Sequence, residues 1–228
     1  MKKIFFLFFY FVLCLSLNAK TEIDKAFQGR SRDDLKKKFT LYSPDMVNNQ
    51  QVREEQFFNG FGCDGENISP KLVWAYAPKN TKSFAITIFD KDAKTGSGWW
   101  HWIVYNIPAD INSVENGASN HEKIMPKGAI ETINDYGTSG YGGVCVLNNE
   151  KHNYVITIYA LNVDKLDLPK KATPAMVRYY INQHKIATAS INVFYGKEIK
   201  KVFNTNKIVK QPKNTKNVVV EEGGKNEK

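Results

Sequence analysis

Asp90-Lys91-Asp92-Ala93 closes one apolar run of the chain, and Trp99-Trp100-His101-Trp102 opens the next after a Gly-rich turn, Thr95-Gly96-Ser97-Gly98. A turn between adjacent antiparallel strands would bring Asp90 and Asp92 back beside His101, the geometry in which a carboxylate fixes a histidine tautomer. Gly140-Tyr141-Gly142-Gly143 offers backbone N–H groups with no side chain in front of them, which can approach an anion. His152-Asn153-Tyr154 begins a third apolar run, where alternation puts His152 and Tyr154 on one face. Each segment has a plainer reading. Carboxylates at a strand end cap turn N–H groups, and a histidine among tryptophans is often a core residue with its ring nitrogen satisfied. Two histidines, a carboxylate pair, a tyrosine and a Gly-rich loop together favour a site over packing alone.

The elements that must position these residues are mostly strands. Ser83 to Asp90 places Phe84, Ile86 and Ile88 on one side and Ala85, Thr87 and Phe89 on the other, so both faces are apolar, as in a central strand. Trp100 to Ile107, Asn153 to Leu161 and Ala189 to Tyr195 share its aromatic and β-branched character. The Gly- and Asn-rich stretches Asn59 to Pro70, Lys91 to Trp99 and Tyr136 to Asn149 hold too few apolar residues for helices and are predicted loops. One helix is well marked: Thr173 supplies an N-cap hydroxyl, Pro174 suits the first helical position, and Met176, Val177, Tyr180, Ile181 and His184 recur every three or four residues. A second, shorter helix is expected around Asp110 to Val114. No internal repeat is present.

Composition narrows the function classes. Of 228 residues, 42% are hydrophobic and 13% aromatic, enough for a packed core and against disorder of the whole chain. The net charge of +9 suggests nucleic acid until it is divided by segment. Lys2 and Lys3 carry two of those charges, and residues 197–228 hold nine Lys against four Glu, which leaves the body between them at only about +2. A basic groove in the folded body, and with it nucleic-acid binding, is not implied. Met1-Lys2-Lys3 followed by the apolar run Ile4 to Leu17 reads as a secretory signal, because the run is shorter than the ~17–25 residues that a membrane-spanning helix needs. Cleavage is expected near Ala19. The expected organisation is residues 1–19 as signal peptide, 20–38 as a lead-in, 39–196 as one domain and 197–228 as a basic, solvated tail able to make peripheral contact with an anionic membrane surface. Export would leave Cys63 and Cys145 as the remaining thiols in an oxidising compartment, where a bridge and two free thiols are both open.

The order FGCDGENISP (Phe61 to Pro70), DKDAKTGSGWWHW (Asp90 to Trp102), GYGG (Gly140 to Gly143) and HNY (His152 to Tyr154), with ATASINVFY near the end, resembles the phosphatidylethanolamine-binding protein family, and within it the bacterial Raf kinase inhibitor-like branch. The likeness runs from about Phe39 to Tyr195, and its most specific piece is D-x-D-A followed by G-S-G-W-W-H-W. It implies a mainly β fold, an antiparallel sandwich with a large central sheet, one or two peripheral helices and a small anion-binding pocket at the sheet edge. Carried onto this chain, the ligand-binding set is Asp90, Asp92, His101, Gly142, Gly143, His152 and Tyr154. The chain departs from the pattern at Lys91, which replaces Pro between the acids, at Val144, where the branch usually has Pro, and at Asn153, which replaces Arg. A phosphate monoester or phosphoryl headgroup would take hydrogen bonds from the Gly-rich loop N–H groups, from Tyr154 and from protonated His101 or His152. The acids would hold a histidine or meet an ammonium group, so a zwitterionic, phosphoethanolamine-like headgroup suits the set better than bare phosphate. The expectation is a periplasmic or secreted binding protein with no cofactor and no catalytic residues, with an envelope protein as a further partner. Two alternatives belong to other classes: a hydrolase using Cys145 with His152 or a metal, and an inhibitor of an envelope protease.

Overall fold

The computed structural model describes residues 38–146, 150–169 and 171–196. The expected signal peptide, most of the lead-in and the basic tail therefore lie outside the described residues. In chain order the elements are β1 (Thr40–Tyr42), β2 (Asn59–Gly60), β3 (Cys63–Asp64), β4 (Leu72–Ala75), β5 (Ser83–Asp90), β6 (Trp99–Pro108), β7 (Ser113–Val114), β8 (Ile130–Glu131), β9 (His152–Leu161), α1 (Pro174–His184) and β10 (Lys185–Tyr195). A single 3-10 turn covers Glu54–Gln56.

The strands form a five-stranded antiparallel sheet in the order β10-β9-β5-β6-β8, a three-stranded sheet in the order β1-β4-β7, and the short β2–β3 hairpin. β5 lies in the middle of the large sheet, which is why both of its faces are apolar. One face, with Ile86, Ile88, Trp102, Val104, Ile156 and Ile158, packs on Leu41, Leu72 and Trp74 of the smaller sheet. The other face, with Ala85, Ile103, Tyr105 and Tyr159, is covered by Val177 and Ile181 of α1 and by Leu166 and Ala172 of the segment before it. The fold is thus mainly β, with two packed sheets and one helix among the described residues.

The helix begins where its cap residues place it, with the Thr173 hydroxyl accepting from Met176 N–H and Pro174 in the first turn. Only part of its apolar recurrence is core, since Val177 and Ile181 are buried while Met176 and Tyr180 are exposed. The short helix expected near Asp110 to Val114 does not form. Ser113–Val114 is instead a strand paired with β4, because Val114 fills the space beside Leu72.

Two irregularities interrupt the pairing of β5 with β6. Phe84 pairs with Ile107 and Ile86 with Val104, while Ile88 pairs with Trp102 and Phe89 with Trp100, so His101 is an extra residue with no partner opposite it. Such a bulge re-aims a side chain. Strict alternation would turn His101 with Ile103 toward α1. The bulge instead brings it to the face of Asp90, Trp99 and Tyr154, where its ring lies 5.2 Å from that of Tyr154.

Ile158 is fully buried on β9 between its neighbours Ile86 on β5 and Ala189 on β10. Ile158→Ala should therefore lower unfolding free energy by about 2–5 kcal/mol, read as a lower denaturant midpoint at unchanged slope.

Candidate functional site

The three central strands of the large sheet bring their ends together: β5 finishes at Asp90, which lies opposite Trp99 at the start of β6 and Tyr154 near the start of β9. A pocket of about 250 Å3 opens there. Asp90, His101 and His152 line it together with Ala93, Trp99 and Tyr136. Phe61, Cys145 and Val146 contribute to its wall, and Lys94 and Glu150 line it as a pair joined at 2.7 Å.

Asp90 organises the floor. Its side chain is buried, Oδ1 accepts from the backbone N–H groups of Asp92 and Ala93 at 2.8 and 3.1 Å, and Oδ2 receives His152 Nδ1–H at 2.6 Å. The carboxylate therefore holds His152, not His101. Residue His101 is oriented differently: its Nδ1 lies 2.8 Å from Gly142 O and 3.0 Å from Gly143 O, two groups that can only accept, so the proton sits on Nδ1. His101 Nε2 is buried with no partner among the described residues. Burial pushes the His101 pKa below its ordinary value, against the opposing pull of the two carbonyls, Asp90 and Asp135.

Three sequence expectations are corrected by this geometry. The Gly-rich loop does not turn free N–H groups to the pocket, because Gly142 N–H donates to His101 O at 2.8 Å and Gly143 N–H donates to Asn67 Oδ1 at 2.7 Å. Its glycines serve close packing: a Cβ on Gly142 would lie 2.4 Å from the Tyr136 ring, and one on Gly143 would lie 2.4 Å from Phe58 N. The loop presents carbonyls to His101 instead. Asp92 is exposed and turned away, accepting from Asn153 N–H at 2.8 Å and Asn153 Nδ2–H at 2.6 Å. Burial works against the Asp92 carboxylate, yet these bonds, with Lys91 and His152 nearby, hold its pKa below the usual range. Asn153 thus anchors the β5–β6 connection from β9. Tyr154 is fully buried behind the pocket with its hydroxyl unpartnered, and burial with the Asp90 charge pushes its pKa well up, so it backs His101 rather than reaching a ligand. Of the two states left open for the cysteines, the structure holds the bridge: Cys145 is bonded to Cys63 and has no free thiol. Among the described residues no group of three or more His, Cys, Asp or Glu side chains is arranged to hold a metal ion.

The aromatic wall was not foreseen. Tyr136 stacks on Phe58 at 4.0 Å, meets Trp99 at 5.1 Å and His101 at 5.7 Å, and donates its hydroxyl to Gly143 O. Phe61 lies at the tip of the β2–β3 hairpin, in a left-handed conformation with φ 52°. Its ring is 68% exposed, within 5.6 Å of Tyr136. The bridge from Cys63 to Cys145 ties that hairpin to the segment after Gly143. Tyr136 stands alone in a polar loop, and nothing in its spacing marks it, whereas the neighbouring Asp135 and Asn134 are recognisable only as turn formers.

The family model of phosphatidylethanolamine-binding protein matches residues 47–196. The chain belongs to this family. It is 41% identical to the protein YbhB of Escherichia coli over 156 residues, covering 68% of this chain and 99% of that one. It is 42% identical to YbcL of the same organism over 160 residues, covering 69% of this chain and 87% of YbcL. The crystal structure of YbcL, described as a member of the mammalian family of these proteins, superposes with a TM-score of 0.67 at 40% identity, over 70% of this chain and 99% of that one. A homolog from Chlamydia trachomatis gives a TM-score of 0.60 at 27% identity, over 71% and 99% of the two chains. The fold is that of the family.

Two measurements check this account of the site. Cys63→Ser with Cys145→Ser opens a covalent link across 82 residues and should cost up to about 4 kcal/mol of stability, read by denaturant unfolding with and without reductant. For His101, the folded state holds its proton less tightly than the unfolded chain. Its contribution is therefore complete above about pH 6.5 and lost as pH falls below that value, with a slope of at most about 1.4 kcal/mol per pH unit. Denaturant unfolding between pH 7.5 and 5 should show His101→Gln losing that part of the slope.

Proposed function

We propose that this family member is a non-enzymatic binding protein whose pocket takes a small phosphorylated headgroup, of which phosphoethanolamine is the type. The observation that carries this reading is the pocket floor: His101 Nε2, buried and unpartnered, beside a His152 ring that Asp90 holds by its other nitrogen. A buried polar atom without a partner is costly in an empty site and is repaid when a ligand supplies the missing bond. His152 turns Nδ1 to Asp90, which leaves Nε2 as the ring atom that can meet a ligand. Phe61, Trp99 and Tyr136 form an apolar wall suited to the carbon stem of a headgroup, in a volume of about 250 Å3 that admits a small molecule.

The floor as built argues for binding rather than turnover. Cys145 is held in a disulfide, and the Asp90–His152 pair has no hydroxyl or thiol bonded to it among the described residues. We also propose that the protein is exported. A bridge between Cys63 and Cys145 is chemistry of an oxidising compartment and accords with the apolar N-terminal run.

Calorimetric titration with phosphoethanolamine tests the reading. Saturable binding is expected, weakened at least tenfold by His152→Ala. Because His152 also donates to the buried Asp90, the variant is expected to be less stable, and its binding is read under conditions where its unfolding transition shows it folded. Equal affinity in a folded His152→Ala protein, or release of phosphate or ethanolamine from the ligand by the wild-type chain, would overturn it.

A further inference from the structure

Of the six large apolar or aromatic side chains exposed among the described residues, three stand on α1: Met176, Tyr179 and Tyr180. The helix buries Pro174, Val177 and Ile181 against the large sheet, and at 3.6 residues per turn Met176, Tyr179 and Tyr180 fall on the opposite side with the exposed Gln183. A surface helix ordinarily turns charged and polar groups outward. This one turns outward a thioether and two phenol rings, which meet edge to face at 5.5 Å. The charge around it has one sign. The sequence holds no acidic residue from Leu168 to Tyr195, while Lys171 and Lys185 are exposed at the two ends of α1 and Arg178 lies on its flank, its guanidinium 4.7 Å over the Tyr159 ring. None of these three cations is in an ion pair among the described residues. β10 continues the face with neutral groups: Thr188 lies opposite Tyr159, which α1 covers, and Thr188, Ser190 and Asn192 are exposed on that side.

We propose that the outward face of α1 docks on an anionic lipid surface, with Met176, Tyr179 and Tyr180 entering the headgroup layer and Lys171, Arg178 and Lys185 meeting lipid phosphates. Tyrosine suits that depth, because its ring is apolar and its hydroxyl stays with water and headgroups. The lysine stems lie along apolar surface while their ammonium groups reach the phosphates. Charge selects this occupant. A second copy docked face to face would set the cations of two helices against each other, with no acid on either helix to match them. An anionic bilayer supplies the missing sign over a broad surface, and its attraction acts within a Debye length of about 10 Å at 0.1 M salt. The contact is peripheral, since the inner side of α1 stays on Tyr159 and Ile103 of the core. No residue of α1 lines the pocket at the ends of β5, β6 and β9, so this inference is independent of the headgroup reading.

Flotation of the chain purified after export, with phosphatidylcholine vesicles and with vesicles in which about a third of the lipid is phosphatidylglycerol, tests this. Binding to the anionic vesicles should be at least fivefold stronger at about 0.05 M salt and should fall away by about 0.5 M. Met176→Gln with Tyr179→Gln, and separately Lys171→Gln with Lys185→Gln, should each weaken it at least fivefold at an unchanged unfolding midpoint, because all four side chains are exposed. In Tyr179→Trp, quenching by lipids with brominated chains should exceed that of the wild-type tryptophans. The basic segment 197–228 is present in every arm, so equal binding by the wild type and both double variants would overturn the proposal. No binding to anionic vesicles, or no added quenching in Tyr179→Trp, would do the same. Displacement of the bound chain by soluble phosphoethanolamine would move the contact to the pocket and reject α1. A concentration-dependent dimer abolished by Met176→Gln with Tyr179→Gln, or tighter binding to an acidic polypeptide than to vesicles, would give the face to a protein instead.

Discussion

The Asp90 carboxylate is taken out of water at the end of the central strand, and a charge in that position is tolerable only if donors surround it. Two come from the backbone of Asp92 and Ala93 and fold the chain into its turn toward β6. The third is His152, from the adjacent strand β9. One side chain thereby ends a strand, shapes the connection to the next and aims a pocket histidine. Asp92, two residues on, reinforces the same junction from outside by accepting both N–H groups of Asn153. The two acids of the motif divide the work, one on the pocket floor and one on its outer brace.

The opposite wall is built by closeness rather than charge. Gly142 and Gly143 let the loop lie directly against Tyr136 and the Phe57–Phe58 backbone, with Phe58 N–H donating to Val144 O at 2.9 Å. That approach sets the two carbonyls on His101 Nδ1, and the Cys63–Cys145 bridge fastens the Phe61 hairpin beside them. The result is a floor of two histidines, each held by its Nδ1, under a wall of aromatic rings.

Much of this architecture was legible along the chain. β5 occupies the span that its two-faced apolar pattern indicates, α1 starts at its Thr173-Pro174 cap, and Asp90, His101 and His152 stand out by residue type beside strand ends. The roles within the set were less legible. The carboxylate expected beside His101 serves His152, the expected loop donors are carbonyl acceptors, and Tyr154 sits behind the pocket. Tyr136, which touches Phe58, Phe61, Trp99 and His101, carries no periodic signal because it lies in a turn.

The division has a physical reason. Hydrophobic periodicity is a local property, so strand and helix positions, the apolar character of both faces of the central sheet and the helix cap can be read from neighbouring residues alone. Which way a polar group points inside a site depends on pairing register and on contacts between segments far apart in sequence. The bulge that carries His101 to the face of Asp90 exists only in the match between β5 and β6. The fate of the glycine N–H groups depends on Asn67, some 76 residues from Gly143, and on the His101 carbonyl, and no spacing in the sequence encodes those partners. Residue types announce a pocket, but donors and acceptors are assigned only when the chain has folded and each polar group has found the nearest partner.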